Sequence, residues 1–259
     1  MAFHGKVALV TGGGSGMGRA MALRHAQQGA KVAILDLNET ALADTAALSP
    51  KLKAYRCDVT DEEQVIDTVA RIEAELGPID RGVHAAGIMP GDTILNMSSQ
   101  KITQVMKVNY FGTVHVTKAL LPRLLERKHG DLICFGSITG YAFSTSFSAY
   151  CASKAAVNAY MEILIHEHQK SGLRILLVAP PAVDTPLINQ ALETGPAAIR
   201  MVKEKKRMAS VDSILDAIET AIEKGQTIVL PGEAKPTYLL RRLSPKLLWK
   251  ISDKVNKVS

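Results

Sequence analysis

Tyr150 and Lys154, in the segment Tyr150-Cys151-Ala152-Ser153-Lys154, stand four residues apart. On a helix that spacing puts both side chains on one face, a turn apart. A phenol, whose ordinary pKa is about 10, loses its proton more readily beside an ammonium group. Ser137 precedes Tyr150 by thirteen residues and closes the apolar run Leu132-Ile133-Cys134-Phe135. A hydroxyl there sits at the C-terminal end of a buried strand, where open α/β sheets bind ligands. Ser, Tyr and Lys in this order suit proton transfer at an oxygen while a nicotinamide carries a hydride. Alone, a Tyr-x-x-x-Lys pair equally fits the surface of an amphipathic helix, so the surrounding elements decide.

Those elements begin near the N-terminus. Lys6-Val7-Ala8-Leu9-Val10 reads as a buried parallel strand. Thr11-Gly12-Gly13-Gly14-Ser15-Gly16-Met17-Gly18 follows, then a helical pattern through Ala20, Leu23 and Ala26 to Gly29. Glycines at 12, 16 and 18 let the backbone turn tightly, approach a pyrophosphate and pack helix against strand. Gly14, Ser15 and Met17 complete the loop, and the helix N-terminus offers its free N–H groups to the phosphates. A second strand-like run over residues 31–35 ends in Asp36 and Leu37. A carboxylate about 20 residues past the glycines accepts hydrogen bonds from an adenosine ribose and repels a 2′-phosphate. No arginine adjoins Asp36 in the chain, so the cofactor reads as NAD(H) in preference to NADP(H).

With these residues in order, the chain resembles the short-chain dehydrogenase/reductase family over roughly residues 6–232. Thr11 to Gly18 matches the T-G-x-x-x-G-x-G loop, and Asp58-Val59 matches the pair that contacts the adenine. Asn109 matches an asparagine that kinks a helix and holds a water toward the lysine. Ser137, Tyr150 and Lys154 match the catalytic residues. Pro180 to Thr185, with Val183 between, resembles the stretch that meets the nicotinamide carboxamide. The resemblance implies that Tyr150 acts as general acid or base, with its pKa drawn toward neutrality by Lys154 and the nicotinamide cation. It implies too that Ser137 donates to the substrate oxygen, that Lys154 holds the nicotinamide ribose, and that Asn109 supports a proton relay.

Two departures stand out. The family has Asn-Asn-Ala-Gly where this chain has His84-Ala85-Ala86-Gly87. Ala86 and Gly87 keep the close approach to the cofactor, whereas His84 and Ala85 forfeit amides that would brace neighbouring strands. Pro181 replaces a glycine, fixing φ and removing an N–H beside the nicotinamide. These departures leave a second function class open, a cofactor-binding scaffold or regulatory protein with little turnover.

At 259 residues with ordinary globular composition, the chain fits one α/β domain. Apolar runs at Val7, Val32, Leu52, Val83, Leu132, Ile175 and Ile228 alternate with helical patterns, which argues a Rossmann-type, doubly wound parallel sheet. Cys57, Cys134 and Cys151 are odd in number and widely spaced, which suits free thiols in a reducing cytoplasm. His166 and His168 lie two apart and point to different helix faces, so no metal site is expected there. No signal-peptide core or run long enough to span a bilayer is expected.

The net charge of +6 is concentrated at the end of the chain. Residues 1–234, the expected catalytic domain, carry 24 charges of each sign. Residues 235–259 carry Lys235, Arg241, Arg242, Lys246, Lys250, Lys254 and Lys257 against Asp253 alone. Ser244-Pro245 reads as an N-cap and first helical position. Leu247, Leu248, Ile251, Val255 and Val258 then form an apolar stripe, with Trp249 beside it and the lysines alongside. Two readings stay open: a basic amphipathic helix on an anionic membrane surface, giving a peripheral location, or a helix docked on its own domain or a partner subunit. No nucleic-acid module is recognisable.

Apolar residues fill the segments that set specificity in the family: Tyr141, Phe143, Phe147, Leu187, Ile188, Leu192, Ile199 and Met201. They suit a lipophilic alcohol or ketone of fatty, acyl or steroid-like character, and equally the packing of lid helices. Lys203, Lys205, Lys206 and Arg207 suit an acidic substrate group or a solvated face. Ala152, Ala155, Ala156 and Ala159 leave the Tyr150 helix smooth enough for close pairing, so a homodimer or homotetramer is expected.

Overall fold

Each of the seven runs becomes a strand because it is short and stopped by a turn, and most are rich in branched side chains. In the computed structural model, every residue is described except 1, 2, 4, 193, 194, 205–207 and 257–259. The first half runs β1 (Val7–Thr11), α1 (Gly16–Gln27), β2 (Lys31–Asp36), α2 (Glu39–Ala46), β3 (Leu52–Arg56), α3 (Glu62–Leu76) and β4 (Arg81–His84). It continues through α4 (Ser99–Met106), a π-turn (Lys107–Phe111), α5 (Gly112–Arg127), β5 (Asp131–Phe135), α6 (Ser148–Glu167) and β6 (Arg174–Val178). The chain ends in α7 (Asn189–Leu192), α8 (Ala197–Glu204), α9 (Val211–Glu223), β7 (Ile228–Val229), α10 (Ala234–Leu243) and α11 (Pro245–Asn256). Side-chain oxygens cap the helices where the sequence offers them: Asn38, Asp61, Ser98 and Ser210 accept from backbone N–H groups in the first turns of α2, α3, α4 and α9.

All neighbouring strands are parallel, in the order β3-β2-β1-β4-β5-β6-β7. The order reverses between β1 and β4, and the crevice beyond that pair is where such sheets bind dinucleotides. Both faces of the sheet are covered. Met21, Ala22 and Ala26 of α1 and Ile214 and Ile218 of α9 pack on one. Val69 and Ile72 of α3, Leu120 and Leu124 of α5, and Val157 and Met161 of α6 pack on the other. Each of the larger of these side chains contributes about 1.5–3 kcal/mol by leaving water, so the strand ends are held firmly. At the N-terminal ends of the central strands, buried Arg81 is paired with Asp131 at 2.7 Å and Glu219 at 2.6 Å.

The tail obeys neither of its two sequence readings alone. α11 starts at Pro245 as expected, with Leu248 N–H donating to Ser244 O at 3.2 Å. Its apolar stripe is divided. Leu248 packs beside Ile138, Ala142 and Ala234, Val255 is half-buried, and Asn256 donates to Ser144 Oγ at 3.3 Å. Leu247 and Ile251 remain exposed on the outer side. Lys257 and Val258 lie outside the described residues, as do Lys205, Lys206 and Arg207. No helix among the described residues is long and apolar enough to cross a membrane.

Candidate active site

The glycine loop opens the site because nothing larger fits. Gly12 has φ +67°, and a Cβ there would meet Ala86 N at 2.8 Å; one on Gly18 would meet Gly12 O at 2.2 Å. The loop therefore lies flat between β1 and the start of α1, with the helix N-terminus facing the cleft. Asp36 closes the far side, its Oδ2 accepting from Gly14 N–H at 3.0 Å and its Oδ1 from Asn38 N–H at 3.1 Å. Ser15, Gly16, Met17, Leu37, Asp58, Val59, Ala86, Gly87 and Thr185 line the same cleft. Gly14 is turned away against Ala41 and Asp36. Arg19 comes nearer this region than its place in the chain suggests, but its Nε donates to Thr45 Oγ1 at 2.8 Å.

The cleft runs on, past Met17, Ala85, Gly87, Thr185 and Leu187, into a smaller pocket. Ser137, Tyr150, Lys154, Pro180, Pro181 and Val183 line that pocket. Tyr150 and Lys154 lie one turn apart on the inner face of α6, both buried. Ser137 follows β5, and its Oγ accepts from Thr139 N–H at 3.1 Å and Thr139 Oγ1 at 2.9 Å. With both lone pairs used, the Ser137 hydroxyl has its proton left to donate. Lys154 Nζ donates to Phe135 O at 2.7 Å and lies 6.0 Å from the Tyr150 ring centre.

The electrostatics correct one expectation. Burial pushes Tyr150 up to about 12, and the hydrogen bond from Ser137 opposes this only in part. Lys154 does not draw the phenol toward neutrality here: its ammonium is directed at the Phe135 carbonyl, and desolvation lowers its own pKa to about 8. The protein alone keeps Tyr150 a neutral phenol.

Asn109 sits in the π-turn between α4 and α5, the distortion that the resemblance implied. The extra residue frees its carbonyl, which accepts from Thr113 Oγ1 at 2.7 Å. Its amide reaches across the site, donating to Ile88 O at 3.0 Å and Ser153 Oγ at 2.9 Å, while Oδ1 accepts from Ile88 N–H at 2.9 Å. Asn109 thus ties the segment after β4 to α6.

A second correction concerns His84. Its ring takes over the brace that the missing asparagine amides would supply. His84 Nδ1 lies 2.9 Å from Thr11 Oγ1, which also accepts from Ala85 and Ala86 N–H at 3.2 Å each.

The substrate side also differs from expectation. Phe147, Leu187, Ile188 and Ile199 do line the pocket. Tyr141 and Phe143 do not: the Tyr141 hydroxyl donates to Glu162 and its ring packs edge-on against Tyr238, while Arg241 lies 5.1 Å over Phe143. Met89, Ile138 and Ala182 take their place. Leu192 packs behind this wall, and Lys203 Nζ donates to Asn189 Oδ1 at 3.2 Å.

Asn158 escaped the sequence reading. Buried on α6, it donates from Nδ2 to Ser137 O at 3.0 Å and accepts from Ser137 N–H at 3.4 Å. The available signal was an amide four residues past Lys154, on the same inner face of an otherwise apolar helix. Another cleft, of about 1230 Å³, lies at the N-terminal ends of the strands and is lined by Lys6, Lys31, Asp80 and Arg174. It holds none of these groups and sits at the end of the sheet opposite to where parallel sheets bind ligands.

The family model for short chain dehydrogenases matches residues 6–195. With this fold and this arrangement, the chain belongs to the short-chain dehydrogenase/reductase family. Retinol dehydrogenase 10-B of Danio rerio is 32% identical over 209 residues, covering 70% of this chain and 62% of that protein. Probable oxidoreductase EphD of Mycobacterium tuberculosis is 34% identical over 259 residues, covering 92% of this chain and 43% of that one. The chain thus spans less than two thirds of the length of either curated relative. Among solved structures, a short-chain dehydrogenase/reductase from Burkholderia phymatum in complex with NAD is 26% identical, with TM-score 0.83, covering 95% of this chain and 96% of that one. A short-chain dehydrogenase from Streptomyces avermitilis is 27% identical with TM-score 0.83, and 99% of each chain is covered.

Proposed function

We propose that this chain is an NAD(H)-dependent oxidoreductase that interconverts a secondary alcohol and a ketone, on a lipophilic substrate of fatty, acyl or steroid-like character. The observation that carries the reading is one continuous cleft, with Asp36 at one end and Ser137, Tyr150 and Lys154 at the other. The cleft fits a dinucleotide, because its floor is glycine backbone that admits no Cβ and its helix end offers N–H groups. Gly12, Ser15, Gly16, Met17 and Gly18 would hold the pyrophosphate, with Gly14 anchoring Asp36 behind them, Asp36 and Leu37 the adenosine ribose, Asp58 and Val59 the adenine, and Ala86 and Gly87 the neighbouring sugar. Pro180, Val183 and Thr185 border the nicotinamide.

The bound cofactor supplies the hydride acceptor or donor and, when oxidised, a positive ring charge. Tyr150 transfers the proton at the substrate oxygen, and Ser137 donates a hydrogen bond to that oxygen as charge develops on it. Lys154, one turn from Tyr150 on α6, would hold the nicotinamide ribose. Asn109 keeps the lysine's surroundings in register and supports proton exchange with solvent. The NAD(H) preference rests on the Asp36 carboxylate and is supported by the NAD complex of the Burkholderia phymatum relative. The apolar wall of Met89, Phe147, Leu187, Ile188 and Ile199 supports the lipophilic substrate, as does a relative named for retinol.

Residues 1–234 carry this chemistry and residues 235–259 form a basic tail. The protein acts in the cytoplasm as a homodimer or homotetramer, paired through the outer face of α6. There Ala152 and Ala159 are exposed, Ala155 and Ala156 half-buried, and Ile163 is 59% exposed. Of the two departures behind the scaffold alternative, His84 still braces the strands through Thr11, which favours the enzyme reading, and Pro181 remains in the pocket wall. Turnover of a graded panel of secondary alcohols and ketones with NAD(H) and NADP(H) in parallel tests the reading. Rates that favour NAD(H) and rise with substrate apolarity support it. Tight NADH binding with no turnover across the panel restores the scaffold.

A further inference from the structure

We infer that the outer face of α11, together with the end of α10, is a contact surface for an anionic lipid bilayer. The face is present while the helix is already docked. The inward side of α11 is occupied by Leu248 beside Ile138 and Ala142, and by Asn256 on Ser144. The outward side carries Leu247, 46% exposed, and Ile251, 45% exposed, one turn apart. α10, which packs against α11, exposes Leu239 and Leu243 at 47% and 83%. Lys246, Lys250 and Lys254 lie beside Leu247 and Ile251 on the same exposed side, and none joins an ion pair among the described residues. Asp253, the tail's single acid, is half-buried on the lysine flank of the helix and leaves an excess of two positive charges among Lys246, Lys250 and Lys254.

An apolar row flanked by cations, at one level on a helix lying flat, matches the boundary between headgroups and acyl chains. Anionic headgroups attract the lysines, and their methylene stems lie along the apolar zone. A second copy of the chain is a poorer occupant, because a two-fold contact through this face would set lysine rows of like charge against each other. The rest of the chain offers no compensating excess of acid, with 24 charges of each sign in residues 1–234. The surface is also placed next to the chemistry: α11 packs on α8, whose Ile199 lines the substrate pocket, and beside Ile138, which lines it too. A lipophilic substrate would then reach the pocket from the bilayer. That consequence rests on the substrate reading above, whereas the lipid contact does not.

The test is co-sedimentation of the full chain with phosphatidylcholine vesicles, with and without about one third phosphatidylserine. The wild type should pellet with the anionic vesicles, stay in solution with the neutral ones, and be released by added salt. The triple variant Lys246→Glu, Lys250→Glu, Lys254→Glu should bind on the order of a hundredfold more weakly. Leu247→Gln with Ile251→Gln should weaken binding independently of salt. Both variants change exposed side chains, so melting temperature and NADH binding should match the wild type. A wild type that ignores anionic vesicles, or a triple variant that binds them equally, overturns the proposal. Variants that lose a subunit contact in light scattering, with no vesicle binding in the wild type, assign the face to a second copy and overturn it too. Turnover of a water-soluble alcohol is read separately, so its absence with intact vesicle binding counts against the proposed reaction alone.

Discussion

Thr11 Oγ1 and His84 Nδ1, 73 residues apart in the chain, meet at 2.9 Å across the strand pair where the sheet order reverses. The Thr11 oxygen already accepts the N–H groups of Ala85 and Ala86. Its own proton must therefore go to His84 Nδ1, which fixes the ring as the tautomer protonated on Nε2. Glycine loop, His84 and the segment facing the cofactor are thus one hydrogen-bonded unit.

This unit predicts an acid-sensitive fold. Burial first, and the charge of Lys154 second, hold His84 down to about 3. An unfolded histidine takes up its proton near 6.5, so between these values the unfolded chain binds more protons. Stability is full above about 6.5 and is lost as pH falls toward 3. His25, also lowered to about 3, adds to the same loss. His84→Asn keeps an acceptor for Thr11 and removes the titration. Its melting temperature should fall less than the wild type's between pH 7 and pH 4, with NADH affinity retained. An identical acid loss in the two proteins would contradict the assignment.

Lys154 predicts a second pH effect, at the alkaline side. Desolvation lowers its pKa from 10.5 to about 8, so the unfolded chain binds the extra proton between those values. Stability from this group therefore rises as pH climbs from about 8 to 10.5. Lys154→Met should lose this alkaline gain, so its stability should fall relative to the wild type as pH climbs through that window, and it should show little turnover. The buried thiols of Cys57, Cys134 and Cys151 act in the opposite direction there. A variant whose alkaline profile parallels the wild type would show that Lys154 is not held in a desolvating site.

Asn158 predicts a positioning effect on the reaction. It makes two hydrogen bonds to the backbone of Ser137. Asn158→Ala should cost about 1–3 kcal/mol of stability by leaving the Ser137 N–H without its acceptor, while the Ser137 carbonyl keeps the Gly140 N–H. It should lower kcat by on the order of tenfold while KM and NADH affinity change little, because only the aim of the Ser137 hydroxyl is altered. Restoration by Asn158→Gln to less than full activity would fit, since the longer amide reaches but does not overlay. Unchanged kcat in Asn158→Ala would remove the positioning role.

How much of this was legible in the chain depends on distance along it. The loop from Thr11 to Gly18, the acid at Asp36 and the Tyr150–Lys154 pair are local patterns, and the parallel sheet follows from alternating apolar runs. The partners of those residues are long-range. Thr11 with His84, Asn109 with Ile88 and Ser153, and Asn158 with Ser137 join elements whose register is set only by packing. The partner of the Lys154 ammonium is long-range too, because the Phe135 carbonyl it meets lies on β5. Tyr141 and Phe143 look like pocket residues by position, but Glu162 and Arg241 draw them outward. The tail's apolar stripe was visible, while its division into a docked and an open side required the neighbouring helices.

Asp36 predicts cofactor choice. Its carboxylate is anchored by Gly14 and Asn38 and faces the cleft. Asp36→Asn keeps the shape and one acceptor while removing the charge. NADPH affinity should rise relative to NADH by on the order of tenfold, the scale of a like-charge repulsion in a partly solvated cleft. Competitive binding of the two reduced cofactors, followed by fluorescence, measures the ratio. An unchanged ratio would show that Asp36 does not set the preference.

The most direct measurement is nicotinamide absorbance during turnover of an apolar secondary alcohol by wild type and Tyr150→Phe. The substitution removes one buried hydroxyl and leaves the ring, so NADH binding and melting temperature should be preserved. The account predicts steady NADH formation by the wild type and a fall of at least a hundredfold in the variant, the scale of a lost general acid or base. Comparable rates in both proteins would contradict the assignment of Tyr150 as the group that moves the proton.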